Sequence, residues 1–301
     1  MWASRVASGI TRTLVSSSSL RGSRLRFPTR HVASIRCRPF CFSANSSSEQ
    51  TPTAPKAAAL IIGNEVLSGK VQDVNVHNLA HLLYARGVDL VRVEMVPDVK
   101  EDIISTVKSL SERVGPSGFV FTSGGIGPTH DDITYESVAE AFGETLAVHE
   151  GTRQRMTEHY TKQGKEVNDA RLRMATLPTG CEALTTPGIW VPLVRLHNIY
   201  ILPGIPRLFS AMLEGCKDRF TGPGMVLETV KTMRGEGEIA DALRDIAAKF
   251  PDVSIGSYPR TEPTQDYTTK LCFEGRNAST VAEATECAKQ LLLALEVEQE
   301  E

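Results

Sequence analysis

The sequence predicts an α/β fold: a three-layer, doubly wound, mostly parallel sheet followed by a small α+β domain of βαββα order. Three observations predict it. Short apolar runs at 57–63, 89–96 and 118–122 alternate with amphipathic helical patterns, the rhythm of parallel strands joined by crossover helices. A glycine-rich stretch follows directly on the third run, and the tripeptide Gly222-Pro223-Gly224 separates this region from a second pattern of strands and helices.

The elements follow in order. The run 57–63 is apolar and ends in Gly, as suits a strand buried on both faces. After a polar loop, Asp73 can cap a helix whose Val76, Leu79, Ala80 and Leu83 share one face, closed by Gly87. The run 89–96 is the second strand, with Val91, Val93 and Met95 expected on one side. Asp98 and Glu101 have capping-box spacing ahead of a helix with Ile103, Val107, Leu110 and Val114 inward. Residues 118–122 form the third strand and 150–169 a polar, partly helical excursion; a hairpin at 189–194 and 199–202 then returns to the sheet. Pro206 suits the first turn of a helix with Leu208, Phe209, Met212, Leu213 and Cys216 inward. Beyond the boundary come strand 225–231, helix 236–249, strands 253–258 and 267–273, and helix 280–295.

The first acidic residue is Glu49, and residues 1–48 carry eight Arg and no Lys. Trp2, Val6, Ile10 and Leu14 would lie on one side of a helix with Arg5, Ser8 and Arg12 on the other, so this segment is expected to be an organellar targeting peptide. Arg38-Pro39-Phe40-Cys41-Phe42-Ser43 matches a two-step mitochondrial cleavage pattern; the expectation is the mitochondrial matrix, with the chloroplast as the alternative. Residues 49–56 are then a linker, 57–222 the main domain, 223–297 the small domain and 298–301 an acidic tail.

Without the eight leader Arg, 25 basic groups face 36 acidic ones, a net charge of −11. A body this acidic repels polyphosphate, so nucleic acid is not an expected partner, and any phosphate must be met locally. No stretch reaches the apolar length of a membrane span. Of six Cys, Cys37 and Cys41 lie in the leader, while Cys181, Cys216, Cys272 and Cys287 are too scattered for zinc spacing and read as reduced thiols.

The chemistry gathers at Ser123-Gly124-Gly125-Ile126-Gly127-Pro128-Thr129-His130-Asp131-Asp132. Glycines let a backbone approach an anion and leave successive amides free, and a following helix adds its dipole. The spacing matches neither the dinucleotide fingerprint nor a Lys-bearing phosphate loop. Asp131 and Asp132 close the loop; Gly63, Glu65, Asp73 and Asn75 lie in the loop after the first strand, on the same sheet edge. Carboxylates beside a phosphate call for a cation, and a divalent one (Mg, Mn or Co) held by Asp73, Asp131 and Asp132 would fit that chemistry. Helix capping is the structural alternative for Asp73 and Asp132. His130 can donate to a phosphate or act as general acid, or be a hydrogen-bonding bystander. Lys70, Arg207 and Arg260 are candidate phosphate clamps or solvated surface groups. Arg234-Gly235-Glu236-Gly237 reads as a helix start.

Four stretches, in order, resemble a known family: Ile62-Gly63-Asn64-Glu65-Val66-Leu67-Ser68-Gly69, Gln72-Asp73-Val74-Asn75, the loop from Phe121 to Thr134, and Leu202-Pro203-Gly204-Ile205-Pro206. They are similar to the molybdopterin-binding (MoaB/Mog-type) domain, in the branch of CinA-type proteins and the N-terminal part of eukaryotic FAD synthases. The resemblance implies that Ser123, Gly124, Gly125, Ile126, Gly127, Thr129, Gly63, Glu65, Asn75, Pro203 and Gly204 bind the phosphate end of a pterin or nucleotide. It also implies that Asp73 and Asp132 occupy acidic positions essential in molybdopterin-activating members; in a hydrolytic reading Asp73 and Asp132 with Asp131 hold the metal or orient water, and His130 is a further catalytic candidate. Ile126 stands where adenylyltransferase members usually carry Thr, and the Gly-Pro-Thr-His-Asp-Asp ending is that of the branch similar to metal-dependent pyrophosphatases splitting FAD or ADP-ribose. A small-molecule ligand and a homo-oligomer are expected. A non-catalytic pterin or flavin-nucleotide binder is the alternative, and a molybdopterin adenylyltransferase a third reading.

Overall fold

A computed structural model describes residues 53–260 and 266–297, the side chains only as far as Leu293 in the last helix. The expected leader, the first half of the linker and the acidic tail lie outside the described residues.

Strand β1 (Lys56–Ile62) runs into helix α1 (Asn64–Leu67) and then α2 (Asn75–Ala85). Strand β2 (Asp89–Val96), helix α3 (Lys100–Val114) and strand β3 (Phe119–Ser123) follow, and the glycine loop leads to α4 (Thr134–Ala141). Next come β4 (Leu146–Val148), α5 (Glu150–Lys162), α6 (Asp169–Arg173), β5 (Thr176–Pro178), β6 (Glu182–Thr186), β7 (Ile189–Leu196), β8 (Ile199–Leu202) and α7 (Pro206–Cys216). The small domain is β9 (Val226–Thr232), α8 (Glu236–Lys249), β10 (Ser254–Pro259), β11 (Thr269–Gly275) and α9 (Ala278–Val297).

The main sheet has the order β2-β1-β3-β8-β7-β6. β2, β1, β3 and β8 are parallel, so their carboxyl ends share one edge, while β7 and β6 extend the sheet antiparallel. β1 is central and its residues Ala57 to Ile62 are all buried, which is why its sequence shows no alternation. Ile103, Val107, Leu110 and Val114 of α3 are buried as their spacing predicts. A single core joins residues from Ala57 to Phe220, and a second core joins Val230 to Leu292.

Two local expectations are corrected. Asp98 and Glu101 form no capping box: Val99 stands at the N-cap of α3 without a side-chain bond, and the Asp98 carboxylate instead accepts from the Asn64 amide at 2.9 Å. Val91 and Met95 are exposed, at 42% and 45%; β2 is the sheet's edge strand, and Val91 lies at a slip in its pairing with β1 at Ala57/Ala58. The polar excursion is partly helical, in line with its pattern: α5 fills most of it and α6 begins at its last residue, each capped by a side chain, His149 and Asn168.

The small domain's sheet has the order β10-β11-β9, antiparallel throughout, with α8 and α9 packed against it. Gly235 is the N-cap of α8, its amide bonded to Glu238 at 2.7 Å, so the Arg-Gly-Glu-Gly stretch is a helix start. Arg276, its side chain 10% exposed, joins this domain to the main one through Asp89 at 2.6 Å and also bonds the Pro223 carbonyl at the boundary. Arg276→Met should cost about 1–3 kcal/mol, since it strands a carboxylate and a carbonyl at once. Urea unfolding checks this; a loss below about 0.5 kcal/mol would show that the pair is merely a surface contact.

Candidate functional site

The turns after β1, β2, β3 and β8 open on one edge of the sheet. Gly124 leaves β3 with φ 108 and Gly125 with φ 64, backbone regions that side-chain-bearing residues avoid. Space enforces the same choice: a Cβ on Gly124 would lie 2.2 Å from the Ile62 carbonyl oxygen, and one on Gly125 2.3 Å from the Thr134 hydroxyl. The loop is tied down at its start and end. The Gly124 amide donates to Leu202 at 3.1 Å, the Thr134 amide to Gly125 at 2.9 Å, and the Thr134 hydroxyl to the Gly124 carbonyl at 2.9 Å. Between these anchors, among the described residues, no protein acceptor takes the amides of Gly125, Ile126 or Gly127. Three successive unspent donors ahead of a helix N-terminus are what an anion needs.

The flanking turns complete the edge. Glu65 folds back over Gly63, where a Cβ would meet its carboxylate at 2.8 Å. Gly204 sits against the loop, its Cβ position 3.4 Å from the Gly124 Cα, and Pro203 lies buried beside it. Asn75 is 3% exposed and bonds both Ser123 and Gly204 at 2.9 Å.

The carboxylates divide. Asp73 accepts from the Val76 amide at 3.0 Å, in the first turn of α2, although Val74 and not Asp73 stands at the N-cap. Asp132 turns inward over Gly127 and takes both the amide and the hydroxyl of Thr129, at 2.9 and 2.5 Å. Asp131 and His130 are exposed at the loop's tip, with 3.9 Å between Nδ1 and Oδ1. Among the described residues no three His, Cys, Asp or Glu side chains form a group that could hold a metal ion. Asp73, Asp131 and Asp132 as placed therefore do not converge on a resident cation.

Two functional candidates escape sequence reading. Asp98, read there as a helix cap, stands on this edge; burial pushes its carboxyl above the ordinary aspartate value, the Asn64 amide opposes this, and the charges of Glu65, Asp131 and Asp132 add to the rise. Arg173 of α6 reaches the far end of the loop and donates to the Asp132 carbonyl at 3.2 Å. Neither residue carries a local signal, since each is brought in by a separate element. Arg260, by contrast, lies in the small domain over the Tyr267 ring at 4.1 Å, away from this edge.

The raised Asp98 carboxyl has a sign that can be checked. The folded protein keeps this proton to higher pH than the unfolded chain, so the contribution favours folding below the ordinary aspartate range and is lost as pH rises through the raised value. Asp98→Asn keeps an acceptor for Asn64 and removes the charge. It should be more stable than the parent at neutral pH by less than about 1 kcal/mol, the gap closing in acid. Melting curves from pH 3 to 8 test this; a variant less stable at neutral pH would contradict it.

The family comparisons agree with this geometry. Residues 58–221 match the family described as "Probable molybdopterin binding domain", over more than half the chain. The chain belongs to the molybdopterin-binding domain family. Residues 224–301 match a second family, "FAD synthase, middle domain". A "Probable FAD synthase" of Caenorhabditis elegans is 31% identical over 81% of this chain and 51% of its own length, so the chain spans about half of that relative. A protein of Pyrobaculum calidifontis is 32% identical over 68% of this chain and 81% of its own. A "CinA-like protein" of Myxococcus xanthus is 38% identical over 52% and 37%. Among solved structures, the protein CinA of Thermoplasma acidophilum, of unknown function, superposes with a TM-score of 0.50 at 27% identity, covering 56% of this chain and 98% of that one. This molybdopterin-binding domain is thus of the CinA-like and FAD synthase-like branch, and its glycine loop lies within the matched residues. Among the described residues no helix is long and apolar enough to cross a membrane.

Proposed function

We propose that the glycine turn binds the phosphate end of a nucleotide or pterin, and that the chain hydrolyses the pyrophosphate linkage of FAD-like or ADP-ribose-like dinucleotides. The observation that carries the binding is the set of unspent amides at Gly125, Ile126 and Gly127 on a backbone fixed at both ends. The names of the relatives, FAD synthase and CinA-like, support a nucleotide or pterin as the ligand.

In the hydrolysis, the water oxygen bonds to one phosphorus, the bridging P–O bond breaks, and the leaving phosphate keeps the electron pair. The released water proton passes to a carboxylate. Asp98 suits that role because its raised affinity for a proton makes it a better base than an ordinary aspartate. The loop amides stabilise the charge that builds on the attacked phosphate. A divalent cation belongs to this reading as a companion of the substrate: Mg²⁺, Mn²⁺ or Co²⁺ on the pyrophosphate would offset the repulsion from Glu65, Asp98, Asp131 and Asp132. A second reading, a non-catalytic carrier of molybdopterin or a flavin nucleotide, draws on the internal bonds of Asp73 and Asp132, which leave both carboxylates engaged.

The experiment is incubation of the protein with FAD, ADP-ribose or ATP and each cation, with AMP release followed by chromatography and ligand binding by calorimetry. AMP from FAD or ADP-ribose, suppressed by Asp98→Asn, is the expected result. Binding without AMP under every cation leaves the carrier, and absence of binding overturns both. The reading carries with it a homo-oligomer, tested by sedimentation, and an organellar location, tested by fusing residues 1–48 to a fluorescent protein.

A further inference from the structure

Asn75 is enclosed, as are Ser123 and Thr134 on the same edge: it is 3% exposed, and its side chain bonds two other elements of the fold. Its Nδ2 donates to the Ser123 hydroxyl and to the Gly204 carbonyl, both at 2.9 Å. A carbonyl can only accept, so the amide nitrogen must face Gly204 and the orientation of the side chain is settled by chemistry. The opposite atom, Oδ1, is buried and has no hydrogen-bond partner among the described residues. Leaving a buried acceptor unpaired costs about 1–3 kcal/mol, so a residue selected for stability alone would be poorly chosen here.

What Asn75 achieves is a junction. It stands at the start of α2, after the long loop from β1; Ser123 is the last residue of β3; Gly204 belongs to the turn after β8. That turn backs directly on Gly124, whose amide bonds Leu202 and whose Cα lies 3.4 Å from the Gly204 Cβ position. One amide group therefore fixes the last residue before the glycine loop and the turn that supports its first glycine. Because Ser123 accepts from Asn75, the hydroxyl proton of Ser123 is left to point elsewhere.

We propose that Asn75 is a positioning residue: it does not contact the ligand, and it holds the Gly125-Ile126-Gly127 amides in anion-binding register by joining Ser123 to Gly204. The sequence had grouped Asn75 with the ligand-binding residues; the enclosure of its side chain argues for action through its neighbours. The inference rests on the proposal that the loop binds phosphate.

The test is calorimetric titration with ADP-ribose and Mg²⁺ of the parent, Asn75→Asp, Asn75→Ala, Ser123→Ala and the double variant Asn75→Ala with Ser123→Ala, each also melted without ligand. Asn75→Asp keeps the shape and loses the donor. It should bind about 3- to 10-fold more weakly at a temperature well below its own midpoint, the worth of a lost hydrogen bond or two. Ser123→Ala should weaken binding less, and the double variant should fall short of the product of the single effects because the two act in one chain of contacts. If Asn75→Asp only lowers the midpoint and binds like the parent, the residue is structural and the inference fails. Fully multiplicative single effects would also overturn it, since Asn75 would then not act through Ser123. Failure of the parent itself to bind would instead sink the phosphate reading.

Discussion

Gly124→Ala should destabilise the protein by about 2–6 kcal/mol, a strain term and an overpacking term of about 1–3 kcal/mol each. The strain arises because φ 108 is closed to a residue with a Cβ. The overpacking arises because the added methyl would stand 2.2 Å from the Ile62 carbonyl oxygen, backbone of the central strand, which cannot move aside. Against a total stability of about 5–15 kcal/mol, this is a large fraction. Urea denaturation followed by circular dichroism measures it. A loss below about 1 kcal/mol would mean that the loop leaves β3 by another path.

Gly127→Ala should behave in the opposite way, with little loss of stability and a large loss of ligand. Gly127 is not among the glycines with positive φ, so alanine fits the backbone. Its Cβ position, however, lies 2.6 Å from Oδ2 of Asp132, the oxygen that holds Thr129. That side chain must shift, and the amide at 127 moves with the loop's closing bond. Affinity for ADP-ribose should drop about ten- to a hundredfold, as for a lost hydrogen bond to a charged group, while the melting midpoint moves little. Unchanged affinity would show that Gly127 and Asp132 stand outside the anion site. The pair of substitutions separates the two uses of glycine in one loop: Gly124 is glycine because the chain must pass, Gly127 because something must sit above it.

Much of this arrangement is legible in the sequence, for physical reasons. The apolar run from Ala57 to Ile62 has no alternation because both faces of a central parallel strand are covered, and the helix patterns at Ile103 to Val114 and Val281 to Ala288 follow the turn of a helix over a core. The small domain's order of elements is read to within a few residues, its helices α8 and α9 beginning directly after Gly235 and Asn277. The glycine loop is legible because positive φ and close approach both demand glycine. What local sequence does not carry is which carboxylate meets which. Asp98 has a capping spacing but is drawn to the Asn64 amide by the pairing of β1 with β2. Arg173 reaches the loop only because the excursion folds as two helices. The three carboxylates of the expected metal site do not come together: Asp73 and Asp132 each turn one oxygen to a nearby amide, a local choice that residue type alone leaves open.

Amide chemical shifts test the central claim most directly. Nitrogen-15 spectra of the protein titrated with ADP-ribose and Mg²⁺ should move the Gly125, Ile126 and Gly127 resonances downfield together, with one shared affinity, while Gly124, already bonded to Leu202, moves least. Saturable binding that leaves those three amides in place and shifts resonances elsewhere would contradict the account.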